Sequence, residues 1–192
     1  PWLATEAPKR AEDGRTYVLH LDPEARFQPD ACFGFDEGGR PKSRGLTAED
    51  VIFSFKRLAD SKLASPGSWI VEDSIEGMRL FMEKSKTGGP TDYGIPVKGL
   101  EAVDAHTVRI TLTRPMHQFV WYLAMTYAAV VPHEAVEKYG SDFGSHAVGT
   151  GAFRLSGWRR NHEMDFERDP SWRGWAKGPA ARTECPGPAL PR

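Results

Sequence analysis

The sequence lacks the features that would commit the chain to a membrane or to nucleic acid. No apolar run approaches the roughly 20 residues that a membrane-spanning helix needs. No charge of one sign dominates either: the net charge is −1, whereas a protein that neutralises a phosphate backbone would carry a basic excess. We therefore expect no nucleic-acid partner. The 192 residues are 40% hydrophobic, which is ordinary globular usage and enough for one or two domains.

Cysteine is scarce, and the two ends of the chain carry no recognisable signal. Cys32 lies in a loop rich in Gly, Pro and Asp, and Cys185 lies near the C-terminus. Nothing in the sequence brings the two together, so we expect free thiols and infer no compartment from them. No apolar leader follows Pro1, so we expect any export signal to lie outside this chain. Residues 175–192 are predicted to form an irregular tail.

Motifs of nucleotide-binding and nucleophilic enzymes are also missing. Gly149-Thr150-Gly151 lacks the third glycine of a dinucleotide fingerprint and the Gly-Lys-Ser/Thr of a P-loop. We interpret it as a tight turn before a strand that begins at Phe153. There is no Gly-x-Ser-x-Gly elbow, and a loop thiol such as Cys32 is more often inert than catalytic. These absences favour a protein without catalytic activity and without a cofactor.

One short motif keeps an enzyme hypothesis open. His133, Glu134 and Glu137 resemble the helical zinc motif His-Glu-x-x-His, with a glutamate in place of the second histidine. A surface helix that starts near Pro132 explains the same residues without a metal, because Pro and acidic residues are favoured at helix starts. We therefore expect no metal, and we keep a small metal-dependent hydrolase that uses these three residues as an alternative.

Hydrophobic patterns predict a mixture of helices and hairpins. The alternation of apolar residues predicts a half-buried strand over 16–21. Residues 46–60 form the clearest predicted helix, with Thr47 as N-cap and Asp50 in the position of a capping box. The other predicted elements are hairpins at 97–103/107–112 and 153–158/163–168, an extended piece at 69–71, and helices at 75–84, 117–123 and after Pro132. Because the strands occur in hairpins rather than βαβ units, the fold class is α+β.

An aromatic segment supplies the candidate binding residues. Trp121, Tyr122 and Tyr127 flank Met125 in a stretch that is neither a regular helix nor a regular strand. Aromatic side chains on irregular backbone can line a ligand cleft, although they more often fill a core. We take these four residues as the candidate ligand-binding site, with core packing as the alternative.

Four ordered motifs resemble the extracellular solute-binding proteins of family 5, the peptide- and oligopeptide-binding components of ABC importers. They are EDGRTYVLHL at 12–21, LTAEDVIFSFKR at 46–57, LAMTYAAVVPHEAV at 123–136 and VGTGAFRLSGW at 148–158. Two departures stand out. Phe27-Gln28-Pro29-Asp30 precedes a longer loop than the family commonly has, and Ala152 stands where the family usually has Pro.

The resemblance implies a two-lobed, periplasmic-binding-protein-like fold (type II, oligopeptide-binding subclass) that closes on a peptide or other small solute. Residues 1–143 would form the small α+β lobe, and residues 144–174 would start the return into the large ligand-binding lobe. The chain would then be a fragment of a bacterial protein, periplasmic or extracellular, with a lipid anchor as one option. It would deliver its ligand to ABC permease subunits in the membrane.

The resemblance transfers no ligand-binding residue, because the family's ligand contacts lie mostly outside the matching stretch. A third interpretation also stays open. The chain would then be a free-standing interaction domain without a small ligand.

Overall fold

An antiparallel four-stranded sheet forms the centre of the structure, a computed structural model that describes residues 3–177. Its strands are β1 (Lys9–Arg10), β2 (Thr16–His20), β3 (Leu100–Asp104) and β4 (Thr107–Thr111), in the order β1-β2-β4-β3. Tyr17 and Leu19 of β2 pair with Ile110 and Val108 of β4, and all four side chains are buried. The alternation of apolar residues sets this register, because it puts every second side chain on the covered face. The predicted strand and the first hairpin are confirmed.

The first strand of that hairpin is shorter than predicted because another segment occupies its start. The amide of Gly99 donates to the carbonyl of Glu76 at 2.7 Å, and its carbonyl accepts from the amide of Thr111 at 2.9 Å. A Cβ at Gly99 would lie 2.4 Å from the Thr111 carbonyl oxygen, so only glycine allows this close approach. Regular pairing with β4 therefore begins at Leu100.

Helices pack against the sheet and against one another. They are α1 (Ala48–Ala59), α2 (Trp69–Glu72), α3 (Met78–Ser85), α4 (Phe119–Leu123) and α5 (His133–Tyr139), with 3₁₀ turns at Ala31–Phe33, Thr126–Ala128, Gly140–Ser145 and Arg173–Lys177. The longest of these, α1, contacts β3, β4, α2 and α3, and it contributes Val51, Phe55 and Leu58 to the core. Phe53 lies off this stripe, where Tyr93 covers it with ring centroids 5.0 Å apart. The helices predicted at 46–60, 75–84, 117–123 and after Pro132 are confirmed as α1, α3, α4 and α5, with bounds that differ by up to three residues.

The start of α1 depends on Asp50. Its carboxylate accepts hydrogen bonds from the backbone N–H of Thr47 at 2.8 Å and from the Thr47 hydroxyl at 3.0 Å. A carboxylate in the first turn also suits the positive end of the helix dipole. The capping interaction predicted from these two residues is confirmed.

The prediction of an extended piece at 69–71 is wrong. These residues belong to α2, in which the amides of Ile70 and Val71 donate to the carbonyls of Gly67 and Ser68. Two adjacent β-branched residues favour a strand locally. Both side chains are almost fully buried, and α2 packs against α1 and α3. Tertiary packing therefore overrides the local preference.

The second hairpin forms a sheet of its own. Strand β5 (Phe153–Arg159) pairs antiparallel with β6 (Glu163–Arg168), and Asn161 has a φ of 61° in the turn between them. The predicted hairpin and the position of its turn are confirmed. Unlike the main sheet, this hairpin leaves large apolar side chains in the open: Phe153 is 57% exposed and Phe166 is 59% exposed.

Two substitutions in α1 test how the main core is stabilised. Phe55→Ala leaves a cavity under the helix and should lower the free energy of unfolding by about 3–5 kcal/mol. Thr47→Val removes one hydrogen bond at the helix start and should cost only about 0.5–2 kcal/mol. Chemical denaturation followed by circular dichroism measures both. The reverse order of the two effects would contradict the packing described for α1.

Candidate functional site

The four candidate binding residues lie on α4 and the turn after it, where they divide between core contacts and solvent. The ring of Tyr122 packs edge-on against Trp69, with centroids 5.4 Å apart. Tyr127 lies over residue 67, a glycine whose Cβ would come within 2.4 Å of the tyrosine ring. Met125 is half-buried at the margin of the core, whereas Trp121 is 73% exposed. The structure thus brings Tyr122 and Tyr127 against segment 67–69, which no sequence signal connected with them.

Helix α4 and the residues that follow it also line a cavity of about 470 Å³, but with apolar side chains other than the four candidates. The side chains of Val120, Leu123 and Ala124 form one wall. The opposite walls come from β2, from α1 and from the chain at residues 3–8. Ligand sites of this size normally also carry a few precisely placed polar groups. Here every lining side chain is apolar, so no polar side chain among the lining residues is placed to orient a solute.

A charged cluster joins the start of α1 to the start of α5. Arg44 donates to the two oxygens of Asp50 at 2.6 and 2.8 Å and to the two oxygens of Glu134 at 2.5 and 2.6 Å. Asp50 is only 3% exposed. The guanidinium also lies over the rings of Phe27 and Phe33, at 5.0 and 5.4 Å from their centroids. Paired hydrogen bonds of this kind hold both carboxylates in a defined geometry.

The cluster favours the ionised forms of Glu134 and Arg44. Burial acts to raise the pKa of Glu134, but the hydrogen bonds and the charge of Arg44 outweigh it, so the pKa lies below its usual value of 4.5. Burial acts to lower the pKa of Arg44, but its bonds to the two carboxylates raise that pKa instead. A buried carboxylate needs such a partner, because an unpaired charge in the interior is very costly.

The metal-ligand set of the hydrolase alternative is not assembled as that hypothesis requires. The third potential ligand beside His133 and Glu134 is Asp50, and the ligand atoms of these three residues lie within 4.8 Å of one another. Glu137 is exposed and does not join this group within the described residues. A cation would also have to compete with Arg44 for the oxygens of both carboxylates. The cluster is therefore an internal ion-pair network.

Cys32 is a free thiol that is poorly suited to act as a nucleophile. Burial, together with the neighbouring Asp30 carboxylate, raises the pKa of Cys32 to about 12. At neutral pH the reactive thiolate is therefore scarcely populated. Cys185 lies outside the described residues, as do residues 178–192 of the predicted tail.

The chain bends at residues 150–152 and enters β5 at Phe153, as predicted for the glycine pair. Gln28, which lies in the loop between β2 and α1, forms hydrogen bonds to the chain at this bend. Its backbone N–H donates to the carbonyl of Gly149 at 2.8 Å, and its carboxamide N–H groups donate to the carbonyls of Gly151 at 2.9 Å and Phe153 at 2.6 Å. Gln28 is 5% exposed, so these bonds are shielded from water.

Arg44 and Gln28 are not among the functional residues that the sequence predicts. For Arg44 a weak signal existed, because a basic residue shortly before a helix that starts with acidic residues has partners at hand. For Gln28 there was none, because hydrogen bonds from a side chain to backbone carbonyls leave no residue pattern at the acceptor positions.

Comparison with known proteins assigns the chain to a family. Residues 1–184 match the family described as bacterial extracellular solute-binding proteins, family 5 Middle. The chain belongs to this family. The resemblance drawn from the four ordered motifs is confirmed.

Individual family members agree with this assignment. The periplasmic oligopeptide-binding protein OppA of Escherichia coli (strain K12) is 29% identical over 169 residues, which are 86% of this chain and 27% of the relative. The glutathione-binding protein GsiB of Salmonella typhimurium is 40% identical over 169 residues, which are 88% of this chain and 25% of the relative. The chain thus spans about a quarter of the length of the curated relatives it matches. Both relatives are solute-binding proteins rather than enzymes.

Solved structures of the family confirm the fold. OppA of Burkholderia pseudomallei superposes with a TM-score of 0.69 at 21% identity, over 89% of this chain and 30% of that protein. The predicted α+β fold of the periplasmic-binding-protein type is confirmed by this likeness. Within residues 3–177, no helix combines the length and apolar character needed to cross a membrane.

Removing Arg44 tests how much the ion-pair network stabilises the family fold. Arg44→Met keeps much of the side-chain volume but leaves Asp50 buried without a cation, so we expect a loss of about 3 kcal/mol in the free energy of unfolding. The matched control is Arg40→Met, because the pair between Arg40 and Asp36 is exposed. It should leave the urea midpoint nearly unchanged.

The pH dependence separates the network from simple packing. Because the pKa of Glu134 is lowered in the folded protein, its contribution to stability is complete above about pH 4.5 and is lost as the pH falls through the folded value. Arg44→Met removes the cause of this shift. The stability difference between wild type and Arg44→Met should therefore shrink in acid; a difference that stays constant to pH 3 would contradict this account.

Proposed function

We propose that the chain is part of a periplasmic peptide-binding protein that hands its ligand to an ABC import permease. The family match over residues 1–184 carries this proposal. Relatives named for oligopeptides and for glutathione support peptides as the ligand class, because both ligands present an amide backbone with charged ends. The protein would be periplasmic or extracellular, either free or attached to the membrane by a lipid anchor.

In this proposal residues 1–143 are the small lobe and residues 144–174 lead into the large lobe. Of the tail predicted at 175–192, the first three residues belong to the 3₁₀ turn Arg173–Lys177 and the others lie outside the described residues. What supports the first boundary is the separation of the two sheets. The four-stranded sheet and its helices share one buried core, whereas β5 and β6 pair only with each other among the described strands.

The ligand-binding role of Trp121, Tyr122, Met125 and Tyr127 stays a prediction. The exposure of Trp121 supports it, since an indole on the surface is available to a peptide or to another lobe. The contacts of Tyr122 with Trp69 and of Tyr127 with residue 67 add a second segment to the same surface. Residues 67–69 therefore join the candidate residues as a second segment that a peptide could contact.

Native mass spectrometry with a mixture of di- to pentapeptides tests the proposed function. The product of the whole gene should carry peptide and release it on unfolding, whereas the 192-residue chain should bind none tightly. Tight, saturable binding by the monomeric chain would show a complete small binding domain. Absence of binding by the whole gene product would instead favour an interaction domain without a small ligand.

The hydrolase alternative has its own test. We propose that the chain has no catalytic turnover, because Arg44 already engages the carboxylates beside His133. Peptide, ester and phosphoester substrates should be converted no faster than in a blank with or without added Zn²⁺. A rate that disappears in His133→Ala but persists in the control His162→Ala would overturn this proposal.

A further inference from the structure

The path of the chain into the β5–β6 hairpin is fixed by one side chain from a distant loop. Gln28 lies in the loop between β2 and α1, and it donates hydrogen bonds to residues 149, 151 and 153. Three alternate carbonyls of one segment thus converge on a single residue. The segment bends at 150–152 and starts β5 immediately afterwards, so these bonds act at the point where the strand acquires its direction.

The chemistry of the contact is specific for a primary amide. A carboxamide has two N–H donors, and here each of them meets a carbonyl oxygen, which can only accept. A glutamate of the same shape would place an acceptor against two acceptors. A methionine of similar volume would fill the space but leave both carbonyls without a donor. Two substitutions of Gln28 therefore separate hydrogen bonding from packing.

The same loop also contacts the chain after it leaves the hairpin. Asp22 forms an ion pair with Arg173 at 3.4 Å, just after β6, and both side chains are largely buried. Between these points the amide of Asp169 donates to the carbonyl of Ala152 at 2.9 Å and closes the base of the hairpin. The loop thus contacts the chain both where it enters and where it leaves the hairpin.

The hairpin's own faces contribute little to its placement. Phe153, Met164 and Phe166 are each at least half exposed, so little apolar surface is buried against the rest of the described chain. An isolated two-stranded hairpin is only marginally stable in water. The contacts at its base therefore contribute to its order and its orientation, and those of Gln28 are shielded from solvent because this residue is buried.

We propose that Gln28 is a positioning residue that sets the direction of the strand leaving the small lobe and thereby orients the hairpin of the large lobe. The contacts carry the structural part of this statement. Its consequence for ligand binding rests on the proposed function, because a misdirected β5 would disturb the lobe that closes on the solute.

Hydrogen exchange of the full chain, read by mass spectrometry, tests the structural part. Gln28→Glu and Gln28→Met should each speed amide exchange in residues 153–168 by about 10-fold or more, as expected when two shielded hydrogen bonds are lost. Exchange in residues 51–58 of α1 should stay as in wild type. The matched control is Gln118→Glu, which makes the same chemical change at an exposed position.

The outcomes are distinct. Wild-type exchange in 153–168 in both Gln28 variants would overturn the proposal, and so would faster exchange of equal size in α1, since that indicates a general loss of stability. Peptide affinity of the whole gene product gives the second readout: Gln28→Glu should weaken it, and Gln118→Glu should not. If exchange responds but the wild-type gene product binds no peptide, the positioning role stands and the proposed function fails.

Discussion

Arg44 brings the carboxylates of two helix starts onto one guanidinium, and the placement of both helices follows from that contact. Asp50 holds the first turn of α1 through Thr47, while Glu134 stands in the first turn of α5. Because Asp50 is almost completely buried, it is tolerated only with a cation beside it. The helix positioned in this way carries the apolar stripe that packs on β3 and β4, so the main core depends on a polar contact at its edge.

The two parts of the described chain are stabilised in different ways. The four-stranded sheet and its helices bury a continuous apolar core, in which Tyr17, Phe81 and Phe119 are almost inaccessible to water. The β5–β6 hairpin has open faces and is connected through hydrogen bonds and an ion pair at its base. This difference agrees with a chain that spans about a quarter of its relatives' length, in which the hairpin is proposed to begin another lobe.

The candidate reactive groups of the described chain are poorly disposed for covalent chemistry, whereas aromatic side chains are exposed near α4. The Cys32 thiol is protonated at neutral pH, and the carboxylates near His133 are already bonded to Arg44. By contrast, Trp121 and Trp69 are exposed beside the half-buried Tyr122.

The sequence by itself determined the local elements and the family. Alternation and helical periodicity predicted β2, α1 and both hairpins, because each depends on residues close together in the chain. The four ordered motifs named the family because their order and spacing are specific. Only the tertiary structure decided the rest. Burial turned 69–71 from the expected strand into α2, Arg44 drew Asp50 and Glu134 together, and Gln28 reached the carbonyls of a segment more than 100 residues away. Contacts of this kind join residues that are distant in sequence, and backbone carbonyls accept hydrogen bonds whatever their side chain, so no local pattern records them.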